Sequence, residues 1–362
     1  MKTWLKANLK YGISRIKSGK WAKKVLILSD DWGSIRLKDK ASRNRLASFG
    51  LDWETNRFNQ SDSLERNSDV ERLLEVLNKY KDGQGKGPVF TLVANLGNPD
   101  FEQIQASRFT NFYVEDLEKT YRRTPGSEQV PDLFQQGISA GLFNPALHGR
   151  EHVRTAVWLD FLKNGAEKAK VSFEEEFFFI PDEWLGSIGK SIEAPFWNEQ
   201  GESQFADQML LQDAMHRYAK FFAREADYFT PPALLFNPEL PAFASALGLS
   251  WLDVPRNFKP GSTREEQHKS ETKNLKYVIR NMVFDPNIPD GSGDAAACLY
   301  QMEKAFQFGQ PAIISNHRVS FAGRIDEKNA NHGLKELDIL LGAALKRWPD
   351  LQFCGVEGLK RD

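Results

Sequence analysis

The stretch that decides the fold is VLILSDDWGSIR, Val25 to Arg36, in which four apolar residues run straight into two adjacent carboxylates, a tryptophan and a glycine. A short unbroken apolar run closed by polar residues predicts a strand buried on both faces, as in a parallel sheet. Asp30 and Asp31 repel each other, and neither packs well in a core. Either the pair is a solvated turn, or a cation sits with it.

Working outward, similar runs recur along the chain. Pro88–Ala94, Pro232–Asn237, Leu249–Val254, Lys276–Phe284 and Pro311–Asn316 each read as a strand, and a further strand ends within GISAGLFNPALHG. Helix signals lie between them: an S-x-x-E capping box at Ser68 and Glu71, and amphipathic stretches over Gln204–Glu225 and His332–Arg347. Strands alternating with helices imply βαβ units and a mostly parallel sheet, and at 362 residues an α/β barrel is the better fit. One domain is expected over 1–362, with a basic leader helix at 1–22 and insertions at 100–135 and 173–200. The second insertion holds the aromatic stretch FEEEFFFIPDEW.

Composition sets outer limits. A net charge of −1 offers no basic field for nucleic acid, and no run approaches membrane-spanning length. Cys298 and Cys354 form no C-x-x-C motif, which suits a reducing compartment, so a cytoplasmic protein without stable membrane insertion is expected.

In a barrel, chemistry collects where the strands end. Two other segments carry groups able to work with the acid pair. In HGREH, His148 and His152 stand four residues apart, a spacing that on a helical turn turns both imidazoles to one metal ion. In ISNHR, His317 and Arg318 follow an apolar strand directly. One carboxylate and two neutral imidazoles suit a divalent metal, the second carboxylate can take a proton from water, and a distant histidine can donate one.

SDDWG, HGREH and ISNHR, in this order, resemble the motifs of the NodB-homology polysaccharide deacetylases, carbohydrate esterase family four. The resemblance runs from about Lys24 to the C-terminus and implies a distorted (β/α)7 barrel with inserted loops. It further implies removal of an N- or O-acetyl group from a carbohydrate, with Asp30 as general base, His317 as general acid, and Asp31, His148 and His152 holding a divalent metal, zinc above others. Trp32 is expected either to stack on a sugar face or to close the barrel end as a core aromatic. Arg150 and Arg318 are expected either to read an anionic substituent or to pair with local acids. The sequence departs from the family in two places. Trp32 separates the acid pair from Gly33, and Asn237 stands where the family carries an arginine that orients the catalytic acid. Asp253, in WLDVP, echoes the family's next acidic motif.

Other functions compete. HGREH also matches the H-x-x-E-H pattern of zinc peptidases, with Glu151 as base and Glu225 as a third ligand, although Gly149 weakens the helix this requires. A non-catalytic carbohydrate-binding or regulatory barrel is the second alternative. Glycoside hydrolysis is the third, and it needs two carboxylates on separate walls rather than adjacent ones.

Overall fold

The computed structural model describes residues 22–186, 192–197, 204–258 and 274–359. The basic leader expected over 1–22 lies outside them, Ala22 excepted. Eleven strands are described. They are β1 (Lys24–Trp32), β2 (Phe90–Asn95), β3 (Gly97–Pro99), β4 (Val114–Asp116), β5 (Phe143–Gly149), β6 (Tyr228–Phe229), β7 (Trp251–Asp253), β8 (Lys276–Val278), β9 (Met282–Val283), β10 (Ala312–His317) and β11 (Gln352–Phe353).

β3 and β4 form a small antiparallel hairpin, and the other strands make one parallel sheet in the order β8-β7-β6-β5-β2-β1-β10-β9, with β11 beside the start of β1. The end strands β8 and β9 are consecutive in sequence, with only residues 279–281 between them. So short a connector spans at most about 14 Å, so the sheet must curl until its two edges face each other. The β/α barrel expected from the sequence is therefore present. Its path has eight strands rather than seven, because the single strand expected over Lys276–Phe284 breaks in two around Arg280.

Side-chain alternation divides the sheet cleanly. Ile27, Phe90, Leu92, Ala94, Leu147, Phe229, Leu252 and Ile314 pack outward in one core with helix residues such as Leu73, Leu77, Phe134 and Leu337. Leu26, Leu28, Val93, Ala146, Tyr228, Trp251, Val278 and Ile313 fill the inside of the curl. By the same parity Asp30, Asn95, His148, Thr230, Asp253, Arg280 and His317 point inward at the C-terminal mouth.

Two sequence expectations fail locally. Pro232–Asn237 is not a strand; β6 precedes it at Tyr228–Phe229, and Pro232–Leu234 is a single 3-10 turn, proline being unable to donate to a ladder. The helix Asn67–Asn78 is capped by Arg66 with Asp69, not by Ser68 with Glu71. The aromatic stretch expected as an insertion packs in a core of its own beside the barrel mouth. Phe177, Phe178, Phe179, Ile180 and Trp184 build a separate core with Trp158, Phe161, Ile104 and Leu46. Among the described residues no helix is long and apolar enough to cross a membrane.

Candidate metal centre

Asp30 and Asp31 are neighbours, and on a regular strand they would point to opposite faces. A bulge prevents this. Three steps along β1, from Ser29 to Trp32, oppose two along β2, from Leu92 to Ala94, and Asp31 takes a left-handed φ of 74°. Bulges re-aim side chains, and here both carboxylates reach the mouth. Gly33 completes the turn at φ +85°, where a Cβ would lie 2.6 Å from the carbonyl oxygen of Asn95. Only glycine fits that approach.

β5 carries a matching irregularity: Ala94 pairs with Leu147 but Asn95 with Gly149, leaving His148 as the extra residue. His148 thus ends a strand and His152 follows in an irregular loop, not on the helical turn expected. Gly149, at φ +156°, is incompatible with a helix there. The same observation removes the zinc-peptidase arrangement, which needs both histidines on one helix. Glu151, its supposed base, is buried against the Arg150 guanidinium, and Glu225 is exposed.

Asp31, His148 and His152 converge, each buried, with one ligand atom apiece within 4.8 Å of the others. Asp31 Oδ1 lies 3.4 Å from His148 Nε2 and 3.5 Å from His152 Nε2. Donors bound tetrahedrally at about 2.1 Å from one ion stand about 3.4 Å apart, so the spacing suits a metal. His148 Nδ1 lies 2.7 Å from the Thr230 carbonyl oxygen, which can only accept. In the neutral ring Nδ1–H therefore donates, and the Nε2 lone pair faces Asp31, the arrangement typical of a ligating histidine. Burial lowers the pKa of His152, against the pull of Asp31, and so favours the neutral ring a metal requires. Burial works against the Asp31 carboxylate too, yet His148, His152 and His317 hold its pKa well below the usual range. One anionic oxygen and two imidazole nitrogens, all buried and aimed at one point, fit a divalent transition metal.

Asp30 lies outside that cluster and is gripped from behind. Arg280 Nη1 donates to Asp30 Oδ2 at 2.6 Å and Nη2 to Oδ1 at 2.8 Å, while its Nε donates to Asp253 Oδ2 at 2.6 Å. All three side chains are buried. Burial opposes the charge on Arg280, but Asp253 and Asp30 together raise its pKa well above the ordinary value. On the other flank His317 Nε2 lies 3.9 Å from Asp30 Oδ2. The Asp285 carboxylate meets His317 Nδ1 at 2.8 Å and accepts from its backbone N–H at 2.9 Å. Arg57 donates to the same carboxylate at 2.9 Å. Burial depresses the His317 pKa, but Asp285, Asp30 and Asp31 outweigh it and raise the net value.

Asn237 stands where the resemblance places an arginine, and the arginine that grips Asp30 is Arg280, from the gap between β8 and β9. Asn237 itself is buried and donates to Asp207. The sequence signal for Arg280 was a cation inside an otherwise apolar run. Asp285 stands one residue beyond the same run and had no signal of its own.

Three other candidate substrate contacts are placed elsewhere. Trp32 is 1% exposed, edge-on to Phe90 and Phe134, with its indole N–H donating to Ser29 Oγ at 3.0 Å. It is the core aromatic, not a sugar platform. Arg318 is wholly buried and ties the end of β10 to Asp62, Glu65 and the Ser34 carbonyl. Arg150 is consumed by Glu151 and Asp213. The aromatic rings that do border the site are Phe58, edge-on to His317 at 5.3 Å, and Phe179, 5.4 Å from His152. Beside Phe58 a cleft of about 500 Å³ opens, lined also by Asp52, Thr55, Asn56, Arg57, Ile288 and Pro289.

No family model and no curated protein matches the chain. Solved structures of similar fold include a 4-alpha-glucanotransferase from Thermococcus litoralis, at 11% identity and a TM-score of 0.48, covering 94% of this chain and 41% of that one. An allantoinase matches at 11% identity and a TM-score of 0.46, covering 93% and 88%. A family 4 carbohydrate esterase from Streptomyces lividans, in complex with acetate, matches at 9% identity and a TM-score of 0.38, covering 94% of both chains. These proteins have different names and different reactions, and a fold alone does not choose among them.

Proposed function

We propose that the protein is a metal-dependent hydrolase that removes an acetyl group, as amide or ester, from a carbohydrate. One observation carries this: a buried Asp-His-His donor set at metal-ligand spacing is flanked by a carboxylate outside that set, Asp30, and by a histidine backed by a carboxylate, His317 with Asp285. A divalent metal held by Asp31, His148 and His152, with zinc favoured by the donors, supplies an acidified water and a polarised acyl carbonyl.

The remaining work falls to this chain's own side chains. Arg280 fixes both oxygens of Asp30, so the carboxylate needs no reorganisation when it takes the proton of the attacking water. Asp285 holds His317 by Nδ1 and leaves Nε2 turned toward Asp30 and the centre. Asp285, Asp30 and Asp31 raise the His317 pKa, which favours the protonated ring that can donate to the departing nitrogen or oxygen as the acyl bond breaks. The products are acetate and a free amine or hydroxyl. The departing sugar is assigned to the cleft beside Phe58, next to the acid. Carbohydrate as the substrate class rests on the motif resemblance, and two unpaired buried cysteines accord with action in the cytoplasm. The test is acetate release from acetylated oligosaccharides by zinc-loaded protein. Asp30→Asn should lose at least about 100-fold in kcat while still binding zinc, and full turnover in that variant would refute the assignment.

A further inference from the structure

At the mouth of the barrel most inward-pointing polar side chains are bonded to one another, although Asp253 Oδ1 and His152 Nδ1 lack a partner among the described residues. Asp30, Arg280, Asp253 and Thr230 form a connected set, His148 is bonded to the Thr230 carbonyl, and His317 is bonded to Asp285. Asn95, the last residue of β2, is 0% exposed, and neither its Oδ1 nor its Nδ2 has a hydrogen-bond partner among the described residues. A fully buried carboxamide with both ends unpaired is rare in a folded protein and costs free energy unless something else occupies the site.

Its placement says what that occupant touches. β2 lies between β1, which carries Asp30 and Asp31 near its end, and β5, which carries His148 near its end. Both register shifts fall on those neighbours, so β2 keeps its alternation to the end. Ala94 and Leu96 belong to the outer core and Val93 to the inner one, which turns Asn95 inward. Its backbone carbonyl oxygen abuts Gly33, two residues past Asp31. His317 approaches Asp30 from β10, on the opposite side of β1. The amide and the acid therefore flank the reacting position from two sides.

We infer that Asn95 is a substrate-contacting residue whose carboxamide hydrogen-bonds the acyl group, or the acetate formed from it, at the centre of the site. An amide suits this place, since Nδ2–H can donate to an acyl oxygen while Oδ1 accepts from a water or a substrate amide. The inference rests on the metal-hydrolase function proposed above and assigns a contact that none of the motif residues supplies.

Calorimetric titration of wild type, Asn95→Leu and Asn95→Ala with zinc, and then of the zinc-loaded proteins with acetate, tests it. The metal-free Asn95→Leu protein should melt at or above the wild-type temperature, because no partner is lost. Zinc affinity should stay within about twofold in both variants, and acetate affinity should fall about tenfold, the worth of one hydrogen bond to a charged group. Asn95→Ala keeps the comparison valid if leucine does not fit. Unchanged acetate binding in both variants overturns the inference. So does an Asn95→Leu protein melting several degrees low without metal, which would reveal a structural partner such as a fixed water. A wild type that takes up no zinc, or zinc without acetate, instead contradicts the metal site itself and this contact with it.

Discussion

In the proposed site one guanidinium, Arg280, neutralises two buried carboxylates. Replacing it by methionine keeps most of the volume and removes the charge. Asp30 then loses both of its guanidinium hydrogen bonds and Asp253 its short one. Breaking a buried ion pair costs about 3–5 kcal/mol. At about 2.1 cal/mol/K per residue, a chain of 362 residues has an unfolding entropy near 0.76 kcal/mol/K, so about 4 kcal/mol lowers Tm by about 5 °C.

The deficit also has a sign in pH. Burial already raises the Asp253 pKa, Arg280 works against that, and Asp30 adds to it. Without Arg280 the folded state holds protons on its carboxyls that the unfolded chain releases, so stability falls as pH rises. The deficit is therefore largest near pH 8 and shrinks on acidification, at up to about 1.4 kcal/mol per pH unit for each carboxyl titrating. Thermal melts of metal-free Arg280→Met from pH 5 to pH 8 measure both quantities. Asp253→Asn, which leaves Arg280 bidentate on Asp30, should lose less. A variant within 1 °C of wild type at pH 8, or a deficit that grows on acidification, would refute the account of the cluster.

Other outcomes follow from the same geometry. Asp285→Asn removes the main group raising the His317 pKa, so the alkaline limb of kcat against pH should move to lower pH; an unmoved limb means that Asp285 does not act through His317. Trp32→Ala should cost about 3–5 kcal/mol as a core truncation, read as a Tm drop of several degrees. A tryptophan serving as an open sugar platform would lose less than about 0.5 kcal/mol, and so small a loss would contradict its burial.

Much of the fold was legible because it is written in local pattern. Apolar runs ending in polar residues marked β1, β2, β7 and β10, and the acid pair, the two histidines and His317 stood at or just past such ends. What escaped notice depends on backbone irregularity and on long-range pairing. The bulge that turns Asp30 and Asp31 to one side is a relation between two strands, and no single stretch encodes it. Lys276–Phe284 has the composition of one strand, and only the two distant acids explain why it breaks at Arg280. Trp32 looks like a ligand contact beside the acids, yet its neighbours Phe90 and Phe134 come from elsewhere in the chain. Arg318 follows a catalytic candidate directly, but points outward by strand alternation, to Asp62 and Glu65.

The central claim is that Asp31, His148 and His152 share one ion, and diffraction at the zinc absorption edge from zinc-soaked crystals tests it most directly. The account predicts one strong anomalous peak about 2.0–2.2 Å from Asp31 Oδ1 and from the Nε2 atoms of His148 and His152. No peak at saturating zinc, or a peak only at other side chains, would contradict it.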